Sequence, residues 1–333
     1  MDQRPSENPV APLHLHSVAP ARTVPSLADD VRAGFERRPR MLAPKYFYDA
    51  RGSDLFDRIC DTPEYYPTRS EHELLDTHAD SVVDRLRPDH IVELGSGTAR
   101  KTVSLIAACE RAGLAPVYWP FDVCAEVLEQ AAANLRPHFP WLQVHALVGD
   151  YTAGLAHLPR PAGRCLYVFL GGTFGNFEPA EGCALLRDLT AHMQDGDALL
   201  LGVDRVKDRA TIEAAYNDAA GVTAAFNRNV LYVLNRELDG DFEPEAFRHE
   251  ARFNAGQGRI EMVLRAERRM HVSLRALGCS YTFEPDEPLL TEISRKFTPE
   301  QLDRELGEAG MARRASFVAP GDYFSLELLE RRS

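Results

Sequence analysis

The chain has 333 residues, of which 44% are hydrophobic and 26% charged, and it carries a formal net charge of −12. This composition predicts a soluble globular protein with one large domain or two ordinary ones. The negative charge argues against nucleic acids and anionic membrane surfaces as partners, since both call for a basic protein surface. No apolar run reaches the length of a membrane span.

The first 25 residues mix proline, alanine and polar residues without periodicity, which predicts a flexible tail over residues 1–25. This tail lacks the basic region and apolar core of a secretory signal peptide. His14 and His16 alternate within it, but two histidines without further ligands do not predict a metal site. Six cysteines are scattered without a Cys-x-x-Cys pair, which favours free thiols in a cytoplasmic protein over disulfides or zinc ligands.

From about residue 27 to residue 80 the sequence predicts helices interrupted by aromatic-rich loops. Ser70 to Ala79 contain helix formers and an acidic first turn, which is typical of a helix start.

The central segment alternates strand and helix patterns. The predicted strands are His90–Leu94, Val117–Asp122, Gln143–Val148, Cys165–Leu170 and Ala198–Val203. The predicted helices are Thr102–Ala112, Ala125–Asn134 and Glu181–Met193. Five strands joined by crossover helices predict a parallel sheet that binds ligands at the carboxyl ends of its strands.

A glycine turn follows the first of these strands in the sequence Glu93-Leu-Gly-Ser-Gly97. Gly95 and Gly97 allow a sharp bend and a close approach of the backbone to a ligand. Asp122 ends the next strand, where an acidic residue in such folds binds ribose hydroxyls. Because the third glycine of the dinucleotide motif is absent, a methyltransferase that uses S-adenosylmethionine is favoured over a dehydrogenase.

Beyond Asp204 the periodicity changes. Residues 208 to 235 predict two helices, and three strand-like runs follow at Phe247–Phe253, Arg259–Glu267 and Arg269–Leu274. The stretch Leu290–Phe297 is predicted as a further loop. Glu300–Ala309 predicts a helix, and Met311–Val318 with Tyr323–Leu329 predict a terminal antiparallel hairpin.

Together these elements predict an α/β, Rossmann-like fold with a seven-stranded sheet of five parallel strands and the hairpin. A second, discontinuous α+β domain is expected to cover the ligand edge of the sheet. We expect residues 26–80 and 205–295 to form this substrate-binding domain. Residues 81–204 and 296–333 would form the domain that binds S-adenosylmethionine.

Four segments resemble the histidine Nα-methyltransferase family of ergothioneine biosynthesis. They are Tyr48–Phe56 with Pro63–Arg69, Glu93–Gly97, Phe169–Phe177 and Thr291–Phe297. The likeness runs from about residue 40 to the end of the chain. It implies a class I methyltransferase fold and successive transfer of three methyl groups from S-adenosylmethionine to the α-amine of L-histidine, giving hercynine.

The resemblance also implies a substrate site. Asn176 and Tyr216 match the residues that hold the substrate carboxylate, and Tyr48 matches a tyrosine near the amine. The residues matched to the imidazole and its pocket are Tyr65, Met262, Glu292 and Ser294. The neighbouring Tyr66 leaves the register of Tyr65 open. Period-two alternation around Ile293 would point Glu292 and Ser294 the same way if this stretch is extended.

The cofactor residues expected from the strand ends and the resemblance are Glu93, Gly95, Gly97, Lys101, Asp122, Asp150 and Tyr151. Asp122 is assigned to the ribose and Asp150 to the adenine, and no metal is expected. For the transfer step, Tyr48 is expected to orient the amine rather than act as a strong base, because a phenol titrates near ~10.

Two alternatives stay open at this point. One is the same chemistry on a different amino acid such as tryptophan, and the other is a regulatory protein that binds S-adenosylmethionine without turnover. A monomer is expected, since no long apolar helix face requires a partner.

Overall fold

A large twisted sheet organises the chain in the computed structural model, which describes residues 13–332. The strands in chain order are β1 (Leu13–Ser17), β2 (Arg40–Met41), β3 (His90–Leu94), β4 (Val117–Asp122), β5 (Val144–Val148), β6 (Cys165–Phe169), β7 (Ala198–Asp204), β8 (Phe247–Asn254), β9 (Arg259–Ala266), β10 (Met270–Leu274), β11 (Cys279–Phe283), β12 (Pro288–Arg295), β13 (Met311–Val318) and β14 (Phe324–Arg331).

The helices separate and flank these strands. In chain order they are α1 (Leu27–Phe35), α2 (Ala50–Cys60), α3 (Tyr66–Leu86), α4 (Val103–Arg111), α5 (Ala125–Leu135), α6 (Pro179–His192), α7 (Arg209–Ala215), α8 (Val222–Leu238) and α9 (Pro299–Glu308). The predicted start at Ser70 lies inside α3, which begins four residues earlier because Pro67 suits the first helical turn.

The main sheet has the order β1-β5-β4-β3-β6-β7-β14-β13. Strands β1, β5, β4, β3, β6 and β7 run parallel, and the β13–β14 hairpin adds two antiparallel strands beside β7. All residues of β6 and β7 are buried, as continuous apolar runs predict for strands covered on both faces. The predicted class I methyltransferase fold is therefore confirmed.

The prediction of seven strands and a flexible tail over residues 1–25 is wrong for the part that the structure describes. Leu13–Ser17 form an eighth strand that pairs with β5 from Leu13–Val144 to Ser17–Val148. The rings of His14 and His16 stack on His145. This edge strand buries little apolar surface, so hydropathy gives no signal for it. Residues 1–12 of the predicted tail lie outside the described residues.

A smaller four-stranded sheet has the order β2-β12-β9-β8, and β10 pairs with β11. The prediction of a loop at Leu290–Phe297 is wrong, because most of this stretch belongs to β12. A bulge between Leu290 and Glu292 interrupts the pairing of β12 with β9, which hides the strand periodicity. The strands β2 and β11 were also absent from the sequence prediction.

Three apolar clusters fill the interior. Two lie around the main sheet, and the third joins α1, α2 and α8 to the smaller sheet through residues such as Phe35, Phe47, Phe226 and Phe247. The division into two domains stays a prediction. Among residues 13–332, no helix combines the length and hydropathy needed to cross a membrane.

Candidate active site

The predicted glycine turn connects β3 to the following loop. Gly95 and Gly97 have φ values of +66° and +50°, which favour glycine. The Gly97 N–H donates to Asp122 Oδ2 at 3.0 Å, and the Gly95 N–H donates to the Phe121 carbonyl at 2.8 Å. A Cβ on Gly97 would have no protein atom within 4 Å. The turn therefore leaves open space beside Asp122, as the binding of a ribose-containing ligand requires.

Tyr151 and Asp150 lie next to this turn, after β5. A Cβ on Gly95 would lie 3.4 Å from the Tyr151 ring, so the ring closes one side of the turn. Burial raises the pKa of the Tyr151 phenol, and Asp122 raises it further. Asp150 Oδ1 accepts the Thr152 N–H at 2.8 Å, which fixes the carboxylate at the start of its loop. The structure thus brings Gly95, Asp122, Asp150 and Tyr151 to one edge of the sheet.

Glu93 and Lys101 already have protein partners. Glu93 is buried and accepts a hydrogen bond from the Tyr118 hydroxyl, and burial raises the pKa of its carboxyl to about 7. Lys101 forms an ion pair with buried Glu71, which also accepts the Gly171 N–H at 2.8 Å. These contacts hold neighbouring loops together, and direct cofactor contacts of Glu93 and Lys101 stay predictions.

Tyr48 follows a short 3₁₀ helix over Pro44–Phe47 and is the most open aromatic residue of the candidate site. Its side chain is 45% exposed, while its ring packs edge-on against Phe56 at 5.7 Å and Phe226 at 5.8 Å between centroids. The protein around the phenol raises the pKa of Tyr48 well above its usual value, and Glu292 adds to the effect. Tyr48 therefore keeps its proton at neutral pH, which suits an orienting role.

The two adjacent tyrosines have different surroundings. The Tyr66 hydroxyl donates to Asp204 Oδ2 at 2.8 Å and accepts from Lys207 Nζ at 2.8 Å, so protein groups already satisfy its hydrogen bonds. The Tyr65 ring packs edge-on against Tyr216 at 5.9 Å, and Glu292 contributes to the raised pKa of Tyr65 after burial. Tyr65 is therefore the tyrosine that borders the predicted substrate residues.

Strand β12 carries Glu292 beside Met262 of β9, its partner in the antiparallel register. Met262 is buried in the apolar cluster below. Burial raises the pKa of the Glu292 carboxyl to about 7, and the nearby Lys296 ammonium partly offsets this. Among the described residues no basic side chain forms an ion pair with Glu292, so its carboxylate is free to accept a hydrogen bond from a ligand.

A buried hydrogen-bonded group lies behind Ser294. The Tyr216 and Ser294 hydroxyl oxygens are 3.0 Å apart, and Lys296 Nζ donates to both, at 3.0 and 2.9 Å respectively. Lys296 also forms an ion pair with Asp204 at 2.8 Å. Burial raises the pKa of the Tyr216 phenol, and Lys296 opposes this effect.

Asn176 ends the 3₁₀ helix Thr173–Asn176, which packs on β12. A Cβ on the preceding Gly175 would lie 2.8 Å from the Arg295 carbonyl and 3.3 Å from Ser294 Oγ. The glycine therefore permits the 3₁₀ helix that ends at Asn176 to approach Ser294 and Arg295 of β12 closely. Asn176 is partly buried, and its carboxylate-binding role stays a prediction.

Lys296 and Asp204 lie next to this site although the sequence prediction did not assign them to it. Lys296 is 2% exposed and pairs with Asp204. The period-two spacing of 292, 294 and 296 was the available signal for Lys296. Lys207 also pairs with Asp204, and burial lowers the pKa of its ammonium to about 8.

The site as a whole offers neutral hydroxyls, one free carboxylate and an apolar wall next to an open glycine turn. Such a set can bind a zwitterionic ligand with a polar ring, and it supplies no nucleophile of its own. Residues 13–332 contain no group of three or more His, Cys, Asp or Glu side chains that suits a metal ion.

Comparisons with known proteins identify the family. A sequence model of the family described as histidine-specific, SAM-dependent methyltransferases matches residues 27–331. Histidine N-alpha-methyltransferase of Mycolicibacterium smegmatis is 47% identical over 306 residues, which cover 92% of this chain and 95% of that protein.

Two other relatives extend the comparison. Histidine N-alpha-methyltransferase of Mycobacterium tuberculosis is 45% identical over 303 residues, covering 91% of this chain and 94% of the relative. The L-tryptophan methyltransferase trpM of Psilocybe serbica is 27% identical over 326 residues, covering 89% and 90%. The chain therefore belongs to the family of S-adenosylmethionine-dependent, histidine-specific methyltransferases.

Proposed function

We propose that the protein transfers three methyl groups in succession from S-adenosylmethionine to the α-amine of L-histidine, giving hercynine in the first step of ergothioneine biosynthesis. The observation that carries this proposal is the free, partly buried Glu292 carboxylate next to Ser294 and across from Tyr65. A carboxylate and a hydroxyl on one face of a strand are suited to the two nitrogens of an imidazole ring.

The expected substrate contacts divide by chemistry. Asn176 and Tyr216 would donate hydrogen bonds to the carboxylate of histidine, while Glu292, Ser294 and Tyr65 would contact its imidazole. Met262 would close the pocket below the ring, where its flexible thioether fits irregular space. In this arrangement the α-amine would face Tyr48.

The cofactor supplies an electrophilic methyl group on a sulfonium, and Gly95, Gly97, Asp122, Asp150 and Tyr151 are the residues that would hold it. The transfer would form a bond between the amine nitrogen and the methyl carbon and break the sulfur–methyl bond, leaving S-adenosylhomocysteine. Each of the three transfers also releases one proton from the amine to water. The protein therefore needs to position the amine, and good alignment is worth roughly 7–11 kcal/mol of the barrier in favourable cases.

Tyr48 would align the amine through its hydroxyl. Because its pKa is raised, the phenol is a poor base, and it is better suited to accept a hydrogen bond from the amine and direct the lone pair.

A competition assay tests the choice of substrate. We expect histidine, offered with tryptophan in equal amounts, to account for nearly all S-adenosylhomocysteine formed, because an indole leaves the Glu292 and Ser294 groups without full partners. The tryptophan methyltransferase among the relatives makes this the strongest alternative substrate. Preferential methylation of tryptophan would keep the reaction class and overturn the assignment of Glu292 and Ser294.

We further propose that the enzyme works in the cytoplasm as a monomer on a free amino acid. The six cysteines support a reducing compartment, since all of them are free thiols in the structure.

A further inference from the structure

Lys296 is a fully buried cation whose hydrogen bonds lead directly to two predicted substrate residues. Its ammonium lies 3.0 Å from Tyr216 Oη, 2.9 Å from Ser294 Oγ and 2.8 Å from Asp204 Oδ2. An ammonium has three N–H donors and no acceptor, so these three contacts use all of its hydrogen-bonding capacity.

We infer that Lys296 is a positioning residue that directs one hydroxyl proton of the Tyr216–Ser294 pair outward, toward the carboxylate of the substrate. The inference rests on the proposed function. It adds a residue that acts through the hydroxyls rather than by touching the substrate.

The direction of the protons follows from counting donors. Both hydroxyl oxygens accept from Lys296, so neither hydroxyl proton can point at the ammonium. The two oxygens are 3.0 Å apart, so one of the two protons lies between them. The remaining proton therefore points away from the ammonium. On that side the Tyr65 ring packs against the Tyr216 ring, with 5.9 Å between centroids. The Tyr216–Ser294 pair therefore presents one hydroxyl donor to a ligand. It favours a ligand that has a hydrogen-bond acceptor at this position.

The local charge favours an anionic acceptor. Behind the pair, Asp204 contributes one negative charge, and Lys296 and Lys207 contribute one positive charge each, which leaves +1 there. On the substrate side Glu292, with a pKa of about 7, is only partly ionised at neutral pH and offsets part of this charge. In a partly desolvated site this charge attracts a carboxylate more strongly than it would in water.

The ion pair with Asp204 does not by itself explain why a lysine is buried at position 296. Asp204 also forms an ion pair with Lys207 and accepts both contacts from the Tyr66 hydroxyl, at 2.8 and 3.0 Å. Of the two lysines, Lys296 alone contacts Tyr216 and Ser294, whereas Lys207 contacts Tyr66 and the Arg205 carbonyl. Lys207 therefore provides a matched control that shares the structural partner and lacks the substrate-side contacts.

The test compares histidine with histamine, which keeps the amine and the imidazole but lacks the carboxylate. Wild-type protein, Lys296→Met and Lys207→Met are assayed for kcat/KM on both amines and for the Kd of S-adenosylmethionine. We expect Lys296→Met to lower kcat/KM for histidine by roughly 10- to 100-fold, the value of a hydrogen bond to a charged group, with little change for histamine. Lys207→Met should keep the histidine-to-histamine ratio, and both variants should keep the cofactor Kd.

The possible failures are distinguishable. A wild-type protein that methylates neither amine overturns the proposed function and this inference with it. The inference alone is overturned if the wild type is active but Lys296→Met leaves the histidine-to-histamine ratio of kcat/KM unchanged. It is also overturned if Lys207→Met changes this ratio as much as Lys296→Met does.

If Lys296→Met does not fold, two hydroxyl variants carry the test. In Ser294→Ala, Lys296 still blocks the inner side of Tyr216, so the phenol proton points outward and the ratio should be kept. In Tyr216→Phe the remaining Ser294 hydroxyl is the one assigned to the imidazole, so the donor to the carboxylate is lost and the histidine-to-histamine ratio should fall. Loss of the ratio in Ser294→Ala as well would contradict the role given to Lys296.

Discussion

Glu292 illustrates how a residue proposed to bind the substrate can lower the stability of the ligand-free protein. Its pKa is raised from 4.5 to about 7 in the folded protein, so between these pH values the folded state keeps a proton that the unfolded state releases. Stability without ligand therefore falls as the pH rises through this window. A substrate N–H that donates to the ionised carboxylate would offset this cost.

We therefore expect Glu292→Gln to raise the unfolding free energy of the ligand-free protein near pH 8, by on the order of 2 kcal/mol, and to change it little near pH 5. Denaturant titration at the two pH values measures this. Glu261→Gln is the control of opposite sign, because bonds from Asn254 and Arg259 lower the pKa of Glu261 despite its burial. Equal effects of Glu292→Gln at both pH values would contradict the raised pKa.

The same residue should determine substrate affinity. We expect Glu292→Ala to weaken histidine binding at least ~10-fold while the Kd of S-adenosylmethionine stays close to that of the wild type. Calorimetric titration of each ligand separates the two effects. Parallel losses for both ligands would indicate a folding defect instead of a lost substrate contact.

The role of the Tyr48 hydroxyl can be tested by a substitution that removes only this group. Tyr48→Phe should lower kcat about 10- to 100-fold through poorer alignment of the amine, and KM for histidine should change little. The Phe56 and Phe226 contacts of the ring remain in the variant, which keeps the packing. Steady-state kinetics on histidine provide the measurement, and an unchanged kcat would remove Tyr48 from the mechanism.

At the scale of elements, the turn after β3 borders the proposed cofactor site. Gly97 and Gly278 share a left-handed backbone, with φ values of +50° and +64°, and a Cβ on either would have no protein atom within 4 Å. Alanine should therefore cost each position a similar ~1 kcal/mol of stability. Only Gly97 faces the proposed cofactor space.

Gly97→Ala should consequently weaken S-adenosylmethionine binding by at least ~10-fold, whereas Gly278→Ala should leave it unchanged. Fluorescence or calorimetric titration of the cofactor distinguishes the two variants, and thermal melts confirm that their stabilities match. Equal cofactor affinities would show that the ligand lies elsewhere along the sheet edge.

The parallel strands β3 and β4 were predicted from sequence with their observed bounds, because buried strands between crossover helices have continuous apolar runs and glycine or acidic ends. Strands with weaker hydropathy signals were not predicted. β1 is an exposed edge strand, and β12 is interrupted by a bulge that breaks its alternation. Sequence patterns report burial and periodicity; β1 has no buried residue, and the bulge interrupts the periodicity of β12.

The candidate site was likewise predicted only where the sequence carries a local pattern or a family motif. Glycine turns and strand ends indicated the cofactor edge, and resemblance to a family indicated the substrate residues. Lys296 was not predicted because a lysine beside an arginine usually lies in solvent. Its burial depends on Asp204, which is distant in sequence, so only the folded chain brings the pair together.

For the whole molecule, the surface bears on the oligomeric state. The large hydrophobic side chains most exposed among the described residues are few and scattered, including Leu15, Val123 and Val318, and they do not suggest a large apolar patch. We expect light scattering after size-exclusion chromatography to give a single species near the chain mass of 37.2 kDa. A mass near twice this value at micromolar concentration would contradict the monomer.

The most direct test of the account is to incubate the purified protein with S-adenosylmethionine and a mixture of the common amino acids, and to follow the products by mass spectrometry over time. The account predicts that histidine alone gains one, two and finally three methyl groups, with matching release of S-adenosylhomocysteine. Methylation of another amino acid in preference to histidine, or of none, would contradict it.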